Sequence, residues 1–205
     1  MRKILLFLLL SSVAFAQDYR RPSADADANT TSYACGGTLL GTSTSMSAVY
    51  SSKSGNGPTG SSSTITATSA GAASRVNGRV FTGWSSPYSY SALTLYISAS
   101  CAGTNNHSCS AEYSTNGGST WQALAAIAAT TQTTYSVTLS PSLTFSNIQV
   151  VSCALGIYAG SVGTGTTTVY DIWTTGTVGA STGPYQQYLT ASMRRLWSLS
   201  KSNIR

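Results

Sequence analysis

The chain has 205 residues and a formal net charge of +6, with 41% of its residues hydrophobic and only 8% charged. That length suits one large domain, and so little charge beside real apolar content excludes wholesale disorder. The positive excess sits at the two ends, around Arg20-Arg21 and Arg194-Arg195, so no basic stripe crosses the body and nucleic acid is excluded as a partner.

Residues 1–16 read as a signal peptide. Arg2 and Lys3 form its positive start, and Ile4 to Leu10 its apolar run. Ala14-Phe15-Ala16 supplies the small-x-small cleavage signal. The run is about half of the roughly 20 residues that crossing a bilayer needs. The mature chain is expected to start at Gln17, in a secreted, extracellular or periplasmic setting. Cys35, Cys101, Cys109 and Cys153 all follow the signal and so meet an oxidising compartment. Four cysteines allow three connectivities. Spacing favours Cys101–Cys109, because two antiparallel strands joined through the polar stretch 102–108 would bring them side by side. Cys35–Cys153 is then the second bridge. With His107 the sole histidine and no CxxC spacing, no metal site is expected.

Along the chain, residues 17–37 read as an extended leader. Asp25-x-Asp27-x-Asn29 starts like a calcium loop, but Thr30 replaces the turn glycine and Gly36 the bidentate glutamate. Residues 38–180 form the main domain. Thr38 to Ser74 is low-complexity, with short, edge-like strands and an exposed loop over Gly55 to Ser63. From Val76 the pattern sharpens. Leu93, Leu95 and Ile97 alternate with polar residues, Ala111 and Tyr113 repeat the alternation, and further runs cover 121–124, 135–139, 148–155 and 167–173. Turn-rich breaks separate them, and no helical period appears. This predicts an all-β chain, an antiparallel β-sandwich of jelly-roll type. Residues 181–205 differ. After Gly183-Pro184, apolar positions at Tyr185, Tyr188, Leu189, Leu196 and Trp197 predict a short C-terminal amphipathic helix, the one place where membrane contact is conceivable.

Ser114-Thr115-Asn116-Gly117-Gly118-Ser119-Thr120-Trp121 resembles the Asp-box of sialidases and other extracellular β proteins, with Asn116 in place of the aspartate. The resemblance implies a structural hairpin away from any active site. Asn116 is expected to bond the backbone two residues on, Gly117 and Gly118 to take positive φ, and Trp121 to pack back on the turn. A wider stretch, Leu93 to Thr174, is similar to the galactose-binding-like jelly-roll modules of secreted and virion surface proteins. That implies glycan binding or packing in assemblies, and carries over no ligand residue.

Catalytic constellations fail. A Ser-His-Asp arrangement would have to use His107, and no serine stands in a glycine elbow. A glycosidase needs two facing carboxylates. The strand region offers Glu112 and Asp171, and alternation sends Glu112 to the face opposite Ala111 and Tyr113, as a solvated residue. No catalytic residue and no cofactor is expected. The reading is a secreted non-catalytic structural or surface-assembly protein, partnered by copies of itself. The alternative is a carbohydrate-binding or adhesive module, with Trp84, Tyr88 and Tyr90 as exposed rings for glycan contact. No linker to a catalytic partner is evident, which favours the structural reading.

Overall fold

The computed structural model describes residues 17–28, 42–43, 62–69 and 73–178. Their regular structure is antiparallel β in two facing sheets, apart from a 3-10 turn at Phe145–Asn147. The first sheet has the order β3 (Thr42–Ser43), β4 (Ser63–Thr68), β11 (Thr164–Val178), β6 (Tyr90–Thr104), β9 (Thr133–Leu139). A further strand, β1 (Gln17–Arg20), pairs with the far half of β11. The second sheet has the order β2 (Ala24–Asp27), β5 (Arg75–Thr82), β10 (Gln149–Gly156), β7 (His107–Ser114), β8 (Gln122–Ala126). The all-β sandwich expected from the alternation is therefore present. The expected C-terminal helix lies outside the described residues.

Alternation fixes which side of each strand is buried. Leu93, Leu95, Ile97, Ala99 and Cys101 of β6 face the core, and each apolar side chain so buried contributes about 1.5–3 kcal/mol. On β11 the alternation breaks once. Val169 lies opposite Ala99 and Asp171 opposite Ser98, so a bulge absorbs Tyr170 and Ile172 regains the core face opposite Ile97. Without it, every later side chain of β11 would face the wrong way. A buried hydroxyl ties the layers together, as Thr167 Oγ1 donates to the Cys153 carbonyl at 2.7 Å.

The Cys101–Cys109 disulfide forms, with Cα atoms 5.8 Å apart. Its setting differs from expectation. The polar stretch is no hairpin loop: β6 continues to Thr104, β7 begins at His107, and the two strands belong to different sheets. β6 is already flanked by β11 and β9, and β7 by β10 and β8, so the chain turns the corner at Asn105, in the left-handed region (φ 54°), and crosses to the other layer. The disulfide therefore joins the sheets. Cys153 is also disulfide-bonded, and Cys35, its expected partner, lies outside the described residues.

Residues 17–27 run from one sheet to the other. β1 extends the first, Arg21 to Ser23 cross over, and β2 extends the second. Two buried ion pairs hold the crossing. Arg21 grips Asp171 of β11 with Nε and Nη2, both at 3.0 Å, and these side chains are 6% and 1% exposed. Asp25 accepts from Arg79 of β5 through Nε at 2.7 Å and through Nη2, the side chains being 0% and 9% exposed. A bidentate arginine fork suits such burial because several charge-assisted bonds offset the loss of water. Arg79→Leu should lower the unfolding free energy by about 3–5 kcal/mol in urea titration, because the Asp25 charge stays buried without its fork. A loss under about 1 kcal/mol would place the pair in solvent rather than in the interior.

Candidate functional site

The antiparallel registers gather three connections, 83–89, 115–121 and 140–148, at one end of the sandwich. There Tyr90 opens β6 opposite Val178, Leu139 closes β9 opposite Leu93, and Ser114 closes β7 opposite Gln149. They are stitched together. The Gly117 N–H donates to the Asn147 carbonyl at 3.0 Å, and the Tyr90 ring stacks on Phe145 at 5.1 Å between centroids. Ser23 Oγ donates to the Gly83 carbonyl at 2.8 Å. Loops held on rigid strands in this way are the usual seat of binding surfaces.

The richest electrostatic cluster lies where β1 meets the 83–89 connection. Asp18 and Arg20 are two residues apart on one strand and so share a face. Arg20 Nε donates to Asp18 Oδ2 at 2.7 Å and Nη2 to Oδ1 at 2.9 Å. The Tyr90 hydroxyl donates to Asp18 Oδ2 and bonds Ser86 Oγ. Ser86 Oγ in turn accepts the Tyr88 N–H at 3.1 Å. The hydrogen bond to Asp18 raises the Arg20 pKa above its ordinary value against the effect of burial, while burial and then the bond to Asp18 raise that of Tyr90. Both groups keep their protons, so the cluster is a charge-balanced array of fixed donors and acceptors. Gly176 makes room for it, since a Cβ there would lie 2.1 Å from Tyr90 Cδ1.

Tyr88 caps this array. The residue is 50% exposed and the Arg20 Cζ stands 5.5 Å from its ring centroid. Trp84 and Tyr90 were expected to be exposed beside it, and they are not. Trp84 is 1% exposed and Tyr90 8%, both within the core cluster, and rings buried that deeply offer no face to a ligand. Asp18 and Arg20 went unnoticed in the sequence because they fall in a segment that reads as leader; the signal for them was the alternation Asp18-Tyr19-Arg20.

The Ser114–Trp121 segment joins β7 to β8, with Tyr113 opposite Gln122. Gly117 and Gly118 have φ of 71° and 87°, as expected. The short reach expected of Asn116 is made by Ser114, whose Oγ accepts the N–H of Asn116 at 3.3 Å and of Gly118 at 2.9 Å. Asn116 reaches farther. Its Oδ1 accepts the Thr120 N–H at 2.9 Å and its Nδ2 donates to Thr120 Oγ1 at 2.8 Å. Trp121 does pack back on the turn, against Gly118, and joins Val76, Val151 and Cys153 in a second apolar cluster. Beside the hairpin, Tyr113, Gln122, Thr138 and Leu143 line a groove of about 190 Å³, in which the Tyr113 hydroxyl donates to Gln122 Oε1 at 2.7 Å.

Asp25, Asp171, Glu112 and His107 are committed elsewhere or half-buried. Asp25 and Asp171 serve the two ion pairs. His107 sits at the opposite end, its Nδ1 3.1 Å from the Asn105 carbonyl. Glu112, expected in solvent, does leave the core face to Ala111 and Tyr113, yet its Oε2 is buried without a hydrogen-bond partner among the described residues. Burial raises its pKa. No family model, curated protein or solved structure matches the chain.

Gly117→Val should destabilise the fold by roughly 1–3 kcal/mol through backbone strain alone, because an added Cβ meets nothing within 4 Å. A melting temperature equal to the parent's would show that the turn relaxes out of positive φ. Glu112 binds its proton more tightly folded than unfolded, so its contribution to stability is full below the ordinary carboxylate range and fades as pH rises through the elevated folded value. Glu112→Gln should therefore stabilise the protein near neutral pH and gain nothing in acid, as read from unfolding curves across pH.

Proposed function

We propose that the chain is an exported, non-catalytic β-sandwich module, of the jelly-roll type, that binds neutral carbohydrate at its loop end. The observation that carries the reading is Tyr88, an exposed ring backed by Arg20 and beside the Asp18 carboxylate. A sugar offers a flat C–H face for such a ring and a rim of hydroxyls for planar donors and acceptors. Arg20 spends Nε and Nη2 on Asp18 and its guanidinium lies over the Tyr88 ring, which fixes the plane of that ring for a ligand on its open side. The internal neutralisation of Arg20 by Asp18 favours an uncharged ligand over an anionic one. The resemblance to galactose-binding-like modules points the same way, with the Asp-box-like hairpin as a brace for the loop end. The inter-sheet disulfide supports export, since such bonds persist where thiols are oxidised.

A second reading, a structural subunit of a surface assembly, is favoured by the outward face of the first sheet. There Thr134, Ser136 and Thr138 of β9 present an exposed row of hydroxyls with no charged residue on the strand.

The first reading is tested on a glycan array, followed by titration of the strongest neutral sugar. Tyr88→Ala should weaken binding by about tenfold, equivalent to roughly 1.4 kcal/mol, with an unchanged melting temperature. A blank array for the parent, or binding indifferent to Tyr88→Ala, would falsify the assignment.

A further inference from the structure

Antiparallel sheets leave unpaired edges, and folded chains normally defend them with charge, bulges or shortness. Four edges of this sandwich are defended. β1 carries Asp18 and Arg20, β2 carries Asp25 with its buried partner Arg79, β3 is two residues long, and β8 pairs with β7 through a register shift at Ala111/Glu112. β9 has none of these protections. It runs seven residues, Thr133 to Leu139, in unbroken register with β6, and among the described residues it pairs with β6 alone. It has no charge, proline or bulge, and the whole sequence between Glu112 and Asp171 is uncharged.

We infer that β9 is a self-association edge, on which two copies of this chain pair antiparallel about a dyad at Ser136. The strand is complementary to itself in that register. Thr134 meets Thr138 and Ser136 meets Ser136 on the outward, exposed side, while Tyr135 meets Val137 on the side of the core. Tyr135 and Val137 are partly buried against the core, and pairing covers what remains exposed of them. Any one-residue offset sets hydroxyls against apolar side chains, so this family of registers is selected by side-chain facing. The result is a continuous sheet running through β6, β9, the partner's β9 and the partner's β6, an isologous contact that closes after two copies. A second copy is preferred over a foreign peptide because the match is within the strand's own sequence. This contact belongs to the assembly reading and is independent of sugar binding at Tyr88.

The test is sedimentation and light scattering of the full chain over a concentration series, beside two variants at the exposed Ser136. Ser136→Lys sets like charges across the dyad and should weaken dimerisation by at least about tenfold, most at low salt, with the circular dichroism unchanged. Ser136→Cys should cross-link into a dimer on oxidation, because directly opposed residues lie about 4.5–5.5 Å apart between Cα atoms, within bridging range. Thr134→Cys, opposed to Thr138, should not. A parent that stays monomeric, a dimer untouched by Ser136→Lys, or cross-linking by Thr134→Cys but not Ser136→Cys each overturns the inference. Sugar titration of Ser136→Lys, expected to match the parent, separates failure of this contact from failure of the binding site.

Discussion

Two arginine–aspartate forks with opposite polarity close one flank of the sandwich. On the first sheet the crossing segment gives the arginine, Arg21, and the sheet the aspartate, Asp171; on the second the segment gives Asp25 and the sheet gives Arg79. In a chain with so few charges, these four groups are a large part of what is available, and they are spent in the interior rather than on the surface. Breaking either pair takes from a buried charge its counter-ion in the fork, so the segment has one well-defined place. A slip of one residue would turn Asp25 out and bring an alanine in. Everything at the loop end that depends on β1 depends on that placement, including the relation of Asp18 and Arg20 to Tyr90.

The loop end is built by support from below. Tyr90 is the link: its ring fills the space above Gly176 and stacks on Phe145, while its hydroxyl fixes the carboxylate of Asp18. Each contact removes freedom from a surface group, and under the proposed binding role such preorganisation would lower the entropy lost on binding. The hairpin contributes in the same way, with Ser114 and Asn116 accepting the N–H groups of Asn116, Gly118 and Thr120 while Gly117 donates to the neighbouring connection.

Much of this was legible in the sequence. Leu93, Leu95 and Ile97 announced a half-buried strand, whereas the run 167–173 was read as a plain strand and its bulge at Tyr170 shows only in the pairing with β6. The two glycines of the hairpin announced positive φ. Other features were hidden for physical reasons. Alternation says that a residue leaves the core but not whether it reaches water, so Glu112 looked solvated and Trp84 looked exposed. The spacing of Cys101 and Cys109 fits a hairpin and an arch equally, since both bring the ends of two strands together; what decides is which strands flank them, and that is a long-range property. Asp18 and Arg20 were invisible as a site because their partner, Tyr90, is far along the chain.

The chain changes layers at most of its connections, and this bears on how it is reached from the unfolded state. Among the described residues, β3 with β4 and β7 with β8 are the ladders formed by strands consecutive in sequence; the others wait for distant segments, as β1 and β4 both wait for β11. Such non-local pairing places folding in the slow range, roughly milliseconds to seconds, because loop-closure entropy is lost before contacts reward it. During that wait the uncharged run from Tyr113 to Tyr170 has no charge repulsion to keep copies apart. The Cys101–Cys109 bridge, spanning a separation of eight residues, is the link best placed to form early, and it would commit the two layers to each other before the last strand arrives. Oxidation of this pair would then act on the order of events: it would set the corner first and let β11 close the sheet.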